Sequence, residues 1–363
     1  MNEVLSMSIN QAHDFFVQWH LTERCNLRCT HCYQTGQGSD EMTLGDIKAA
    51  IGEIEEMLRA WSDAYGIDFS TSFNVTGGEP FLHRDIFEIL EELRRRHFDV
   101  YLLSNGTLIN KEKARLLSWL GVKGVQVSIE GPEEIHESIR GKGSFASSLR
   151  GVRHLIDAGV AVSLNATLSG INTGHFMEMI DLSSSLGVQK LGFSRLVPSG
   201  RGAKLLNEML PKETVKEIYE KIFSCRTNGL EIVTGDPVAS QLTSPHDGSD
   251  SGSFPTGGCA AGVSGFTLLA DGTITPCRRL PIPVGNVRKD SIRQVWATSK
   301  VLEALRNRSG YGPKCGACKR WANCRGCRAI AYAYTRAQGE GDFLADDPQC
   351  FIDDGSQDMP ALR

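Results

Sequence analysis

No stretch of this 363-residue chain approaches the roughly 18 consecutive apolar residues of a membrane-spanning helix, so no membrane is expected as a partner. Neither sign of charge prevails. The 39 Lys and Arg against 43 Asp and Glu leave a net charge of −4, and nothing in that balance draws nucleic acid or an acidic lipid surface. The opening MNEVLSMSINQAHDFF is polar throughout and has no apolar core of a signal peptide, which predicts a cytoplasmic protein. Internal repeats are absent. So is cysteine, over the whole interval between Cys32 and Cys225. With 40% hydrophobic and 23% charged residues, the chain is neither disordered, nor collagen-like, nor a disulfide-stapled mini-protein. It is long enough for two domains and a sizeable core.

What the chain does have is cysteine in clusters. Ten of its 11 cysteines fall into two groups, one at the front and one in the last third. In a reducing compartment, such clustering points to metal ligands before disulfides.

From Phe15 to about Val197, short β-rich runs alternate with helical stretches. The spacing predicts strands at 15–21, 72–76, 100–104, 124–130, 160–167 and 190–197. The clearest helix runs from Thr43 to Trp61, with Ile47, Ala50, Ile51, Ile54, Leu58 and Trp61 at helical intervals and Thr43 and Asp46 as its capping box. Six β/α units with nearly continuous apolar strands imply a parallel sheet covered by helices. It either opens as a doubly wound layer or curls towards a barrel. A helix at about 211–225 and a strand at 229–234 follow, then QLTSPHDGSDSGSFPTGG reads as a loop. Residues 259–353 are poor in long apolar elements and are expected to owe their fold to bound metal. The expected divisions are a segment 1–14, a β/α domain 15–205, a bridge 206–258, a cysteine-rich domain 259–353 and a tail 354–363.

Residues 23–34, ERCNLRCTHCYQ, follow the first strand and place Cys25, Cys29 and Cys32 as C-x₃-C-x₂-C. A loop at the carboxyl end of a first parallel strand is where α/β folds put chemistry. Three thiolates in eight residues suit one face of a cubane iron–sulfur cluster and leave its fourth iron open to a small molecule. His31 and His20 are near enough in sequence to complete a zinc site instead. After the second strand comes VTGGEPFLH (75–83), where Gly77 and Gly78 remove side chains at a close backbone approach and Pro80 stops the strand.

This pairing of motifs resembles the radical S-adenosylmethionine (radical SAM) superfamily, and the resemblance covers about residues 15–353. It implies an α/β fold, a partial (β/α)6 barrel. It implies that the GGEP segment, with Glu79, receives the amino group of S-adenosylmethionine (SAM), whose amino and carboxylate groups chelate the open iron. LLSNGTLI (102–109) and VSIEGPEEIHESIRG (127–141) match later strand ends, which makes Ser104, Asn105, Ser128 and Arg140 candidates for the ribose and carboxylate of SAM. His31 stands where the family sets an aromatic ring against the adenine. Asn165 and RLVPSGRG (195–202), with Arg195 and Arg201, close the last strands.

The rear pattern is Cys259-x₁₂-Gly272-x₄-Cys277, then Cys315-x₂-Cys318-x₅-Cys324-x₂-Cys327, then Cys350. It is tighter than the usual zinc ribbon and resembles the SPASM extension of radical SAM enzymes, which carries two auxiliary [4Fe–4S] clusters. By that resemblance Cys315, Cys318, Cys324 and Cys350 hold the outer cluster, and Cys259, Cys277 and Cys327 the inner one. Two departures stand out. Only two residues precede Cys327 where the family has three, and Ser253 stands where fully ligated members have a further cysteine. The inner cluster is therefore expected to keep an open iron or to be completed by Cys225, a residue equally readable as a small core side chain.

Three [4Fe–4S] clusters and SAM are thus the implied cofactors, with an external one-electron donor of flavodoxin or ferredoxin type. The implied reaction is reductive cleavage of SAM to a 5′-deoxyadenosyl radical, then oxidation of a peptide or protein, as a thioether, C–C or heterocycle link. Only 24 residues precede Cys25, so leader recognition is expected of a separate partner. Arg278 stands after Cys277 where sulfatase-maturing relatives carry an aspartate base; Asp236 and Glu130 are substitutes. A tetrapyrrole or metallocofactor substrate is the alternative, since RLVPSGRG also resembles haem-pathway members. A non-catalytic zinc protein is the remote one.

Overall fold

Alternation, more than hydrophobicity, shapes the central strands. In β1 (His13–His20), β2 (Phe69–Thr76), β3 (Asp99–Ser104), β4 (Gly124–Ser128), β5 (Val162–Leu168) and β6 (Lys190–Arg195), every second residue is buried against helices. Val17, Trp19, Phe73, Val75, Val125, Val127, Leu164 and Phe193 belong to that face. Their neighbours Gln18, Gln126, Ser128, Asn165, Thr167 and Ser194 are polar. The expectation of nearly continuous apolar strands therefore fails, because the second face of the sheet lines a polar cavity.

The computed structural model describes residues 13–36, 40–227, 229–243 and 254–352. Most of the expected N-terminal segment, the 354–363 tail, Ser253 and much of the loop before Cys259 lie outside them. The helices α1 (Leu44–Tyr65), α2 (Ile86–Arg95), α3 (Lys111–Leu120), α4 (Glu133–Arg140), α5 (Ser144–Asp157) and α6 (Phe176–Leu186) alternate with the strands. The Thr43–Asp46 capping box closes at 3.0 and 3.1 Å, and Gly66 in a left-handed conformation ends α1. Among the described residues, no helix is long and apolar enough to cross a membrane.

Among the described residues, one sheet contains all ten strands, in the order β10-β9-β8-β1-β2-β3-β4-β5-β6-β7. Here β7 is Glu231–Thr234, β8 Gly265–Leu268, β9 Thr273–Thr275 and β10 Gly285–Asn286. From β8 through β1 to β7 every pairing is parallel. The order β1 to β7 never reverses, so the sheet is singly wound and not doubly wound.

The sheet also crosses the expected domain divisions. The expected bridge supplies α7 (Lys212–Ser224) and β7. The cysteine-rich segment supplies β8, which pairs with β1 from Phe16↔Gly265 to Trp19↔Leu268. Phe266 packs edge-on against Phe15 at 5.9 Å, and Trp296 meets Phe15 at 5.3 Å. The rear segment thus shares the main apolar core and adds small clusters of its own, one around Tyr311, Trp321 and Ala322. Its fold does not rest on metal ligands alone. Phe266→Ala is expected to cost roughly 3–5 kcal/mol, as buried aromatic truncations do. In chemical unfolding followed by tryptophan fluorescence, the two parts should lose stability in one transition; two separated transitions would contradict the shared core.

Candidate active site

The carboxyl ends of the strands surround a cavity of about 950 Å³, counting its open mouth. Cys25, Cys29 and Cys32 line it together, on the loop that leaves β1. Neighbouring strand ends hold this loop by its backbone. Gly78 N–H donates to Thr22 O at 2.7 Å and Glu79 N–H to Arg24 O at 2.8 Å, while Gly202 N–H donates to Cys32 O at 3.0 Å. A Cβ at Gly77 or Gly78 would collide with the carbonyl oxygens of Thr22 and Arg24, and one at Gly200 with that of Tyr33. These glycines admit the cysteine loop itself to close contact. Arg201 Nε adds a hydrogen bond to Cys29 O at 3.1 Å.

Glu79 does not face the cavity. Its fully buried carboxylate accepts from Ser104 Oγ at 2.8 Å and Asn105 N–H at 2.9 Å. It joins the end of β2 to the end of β3. Ser104 Oγ accepts in turn from Gly106 N–H. Asn105 Nδ2 donates to Asn26 Oδ1 at 3.0 Å and approaches Cys25 Sγ at 3.9 Å. Both residues border the cavity, but the Ser104 hydroxyl is taken up by Glu79 and Gly106, and the Asn105 amide by the cysteine loop.

Arg140, Glu130 and His31 form one buried unit. Glu130 Oε1 accepts from Arg140 Nε at 2.9 Å and lies 3.2 Å from His31 Nε2, and its Oε2 accepts from Thr167 N–H at 2.8 Å. Burial alone would raise the Glu130 pKa, but Arg140 and His31 outweigh it and hold the carboxyl well below the usual range. Arg140 Nη1 reaches Cys29 Sγ at 3.8 Å. Glu130 is thereby a positioning group and no free base. The same holds for Asp236, which pairs with Arg195 at 2.7 Å. Ser128 and Asn165 are register partners whose side chains reach the cavity. Gln126, Thr167 and Ser194 join them there. Sequence reading missed these three, although the period-two polar positions of β4 to β6 announce them.

The rear thiols gather in two places. Cys259, Cys277 and Cys327 converge around Arg279 and Arg328. Gln241 Nε2 donates to Cys324 Sγ at 3.6 Å and Cys350 Sγ at 3.4 Å, and Arg320 lies beside Cys318 and Cys324. Arg328 Nη2 reaches Cys315 Sγ at 3.9 Å. Cys225 is elsewhere: it ends α7 before β7 begins and packs against the main core, on the side of the sheet where strands start. Arg195, 1% exposed, joins Asp236 to Asp347 and Gln349, and Asp347 also accepts from Cys327 N–H at 2.7 Å. This network ties the strand ends to the inner thiols, and only Arg195 and Asp236 had been singled out in the sequence.

All 11 cysteines are free thiols. Burial pushes Cys315 and Cys327 up to about 12 and Cys324 up to about 11. Such thiols become stable thiolates only with a cationic partner, which iron provides. Among the described residues, no three His, Cys, Asp or Glu side chains gather around a single metal ion.

Burial pushes the Glu79 carboxyl up to about 7, its hydrogen bonds from Asn105 and Ser104 opposing the rise. A raised acid stabilises the fold fully below its unfolded pKa, and that contribution is lost as pH rises through 7. Glu79→Gln lacks this dependence. Its stability deficit against wild type should shrink by about 1 kcal/mol per pH unit between pH 5 and 7, as read from anaerobic urea midpoints at several pH values. A deficit independent of pH would refute it.

The model of the radical SAM superfamily matches residues 19–183, and that of an iron–sulfur cluster-binding domain, SPASM, matches residues 259–328. The AdoMet-dependent heme synthase of Nitratidesulfovibrio vulgaris is 28% identical over 350 residues, covering 92% of this chain and 91% of its own. Mycofactocin maturase MftC of Mycobacterium tuberculosis is 28% identical over 344 residues, covering 92% and 81%. The fold matches that of Streptococcus suis SuiB bound to S-adenosylmethionine, with a TM-score of 0.70 at 16% identity, over 94% of this chain and 78% of that one. SAM and iron–sulfur clusters are therefore the cofactors indicated for the site. The chain is a radical SAM enzyme with a C-terminal SPASM domain.

Proposed function

We propose that this enzyme oxidatively modifies a peptide or protein, forming a thioether, C–C or heterocycle link, and that it carries three [4Fe–4S] clusters. Cys25, Cys29 and Cys32 would hold the SAM-binding cluster. Cys315, Cys318, Cys324 and Cys350 would hold the outer auxiliary cluster, and Cys259, Cys277 and Cys327 the inner one, with one iron left open to substrate. The observation that carries this reading is the cavity itself, bounded by the front thiols and by Arg278 and Arg279, which follow Cys277 in the chain. The likeness to a maturase over 92% of the chain supports the peptide as substrate. A cluster held by Cys25, Cys29 and Cys32 would supply the electron for reductive cleavage of SAM, and clusters held by the rear cysteines would supply an acceptor for the electron the substrate gives up.

The protein's own part is placement and exclusion of water. Gly77, Gly78 and Thr76 offer backbone at the cavity wall beside the cysteines. Arg140, aligned by Glu130, presents a guanidinium to a carboxylate of SAM, and Ser128, Asn165 and Gln126 offer hydrogen bonds to its ribose and base. His31, held by Glu130, has Nδ1 without a partner among the described residues. A separate peptide-recognition protein and a flavodoxin- or ferredoxin-type donor complete the system in the cytoplasm.

A second reading, a tetrapyrrole substrate, is favoured by the heme synthase likeness, which spans 92% of this chain. One experiment separates the two. A short peptide encoded beside the gene is co-expressed anaerobically with wild type and with Cys25→Ala, and its intact mass is read. Loss of two hydrogens per event with wild type alone supports the peptide; an unchanged peptide with 5′-deoxyadenosine still produced favours the tetrapyrrole. The purified enzyme should contain roughly 12 iron and 12 sulfide per chain. Replacing Cys25, Cys29 and Cys32 together with Ala should remove about a third of that iron and abolish 5′-deoxyadenosine formation. SAM cleavage surviving in that variant would overturn the assignment of the front site.

A further inference from the structure

Among the described residues, five arginines line the cavity, Arg140, Arg195, Arg201, Arg278 and Arg279, and no carboxylate does. Two are neutralised from behind, Arg140 by Glu130 and Arg195 by Asp236 and Asp347. Arg201 donates to the cysteine-loop backbone. The adjacent pair Arg278 and Arg279 makes no ion pair among the described residues, although the charges of Cys277, Cys327 and Asp236 reach Arg279. Arg279 donates to Arg195 O at 3.3 Å, and its buried Nε has no partner among the described residues. Arg278 makes no hydrogen bond or ion pair within the described residues; its guanidinium lies over the Tyr33 ring, 5.9 Å from the centroid.

We propose that Arg278 and Arg279 form a carboxylate-binding subsite beside Tyr33, and that the substrate is anchored there by a carboxylate of its own.

The location supports this. Tyr33 feels the charges of Arg278 and Arg279 and also of Cys32 and Cys277, one thiol from the front group and one from the inner group. The subsite therefore lies between the two thiol groups, where a substrate must sit to be reached from SAM and to pass an electron onward. A guanidinium cannot act as a base, so Arg278 contributes charge and a planar donor fork. Stacking on Tyr33 orients that fork and leaves its edges free. Nearby His20 is buried, hydrogen-bonded to Tyr33 and Gln34, and kept neutral by burial and by Arg278, with its pKa lowered to about 3. It offers no competing charge. Arg278, at the cavity wall with no hydrogen bond or ion pair among the described residues, gains most from an arriving anion, and Arg279 adds a second donor beside it. The inference rests on the reading above, since a peptide and a tetrapyrrole both carry carboxylates and neither carries phosphate.

The test uses the cluster-loaded enzyme and two probe pairs. One is the gene-neighbour peptide with free carboxylates against the same peptide with its carboxylates amidated. The other is iron coproporphyrin III against its tetramethyl ester. Wild type should bind the free acid of one pair, and the pair it selects identifies the source of the carboxylate. Arg278→Gln should weaken that binding roughly 10- to 100-fold, the span of a charge-assisted hydrogen-bonded contact, and Arg278→Lys should restore part of it. The iron content should stay at the wild-type level in both variants, which separates a lost subsite from a damaged cluster. Equal binding of acid and neutral probes by wild type, or undiminished acid binding by Arg278→Gln, overturns the subsite. Absence of 5′-deoxyadenosine from wild type itself would instead defeat the functional reading beneath it.

Discussion

The architecture depends on holding one irregular loop still. Three thiols can bind a cluster only if their backbone is fixed to a fraction of an ångström, yet the segment from Cys25 to Cys32 is neither helix nor strand. Its order comes from outside. Hydrogen bonds from Gly78, Glu79 and Gly202, with Thr30 bonded to Ile139, bind it to three other strand ends or helices. The approach is so close that a side chain on Gly77, Gly78 or Gly200 would meet backbone oxygen. The GGEP segment, which in sequence looks like a ligand-binding motif, is first a clamp on the cysteine loop. Glu79 tightens the clamp from beneath by tying it to Ser104 and Asn105.

Charge is organised around that clamp in pairs. Glu130 neutralises Arg140 and aligns it with Cys29, and Asp347 binds both Arg195 and the amide of Cys327. Each is a buried ion pair, weak as a source of net stability but severe in its penalty if one partner is removed. Such pairs specify geometry, and here they specify where the front and inner thiols stand relative to the strand ends. Against this neutralised background Arg278 stands out, with no hydrogen bond or ion pair among the described residues and only the Tyr33 ring beneath it.

The rear segment is no appendage. Its β8 completes one side of the sheet by pairing with β1, the strand that launches the front cysteines, while β7 extends the opposite side. Phe266 and Trp296 pack into the same core as Phe15 and Trp61. Movement of the inner thiols relative to the SAM site would have to break that core. This rigid relation suits a reaction in which hydrogen abstraction and electron acceptance must happen at one substrate from two directions.

By itself the sequence determined what is local. Short β-rich runs separated by helical spacing predicted β1 to β6 to within a few residues, and the Thr43–Asp46 capping box formed as expected. The C-x₃-C-x₂-C triple, the GGEP segment and the rear cysteine spacing carried the family, because each is a chemical requirement met within a few neighbouring residues. Side-chain direction and long-range pairing were decided only by tertiary structure. Glu79 turns inward because the donors that satisfy it belong to the end of β3, and Glu130 serves Arg140 and Thr167 and is no base. Arg195 finds Asp347 more than a hundred residues later. Cys225 is carried to the far side of the sheet by α7, and β8 crosses a boundary that composition had drawn. These outcomes depend on which strand ends become neighbours, a property of the sheet's order that no window of sequence contains.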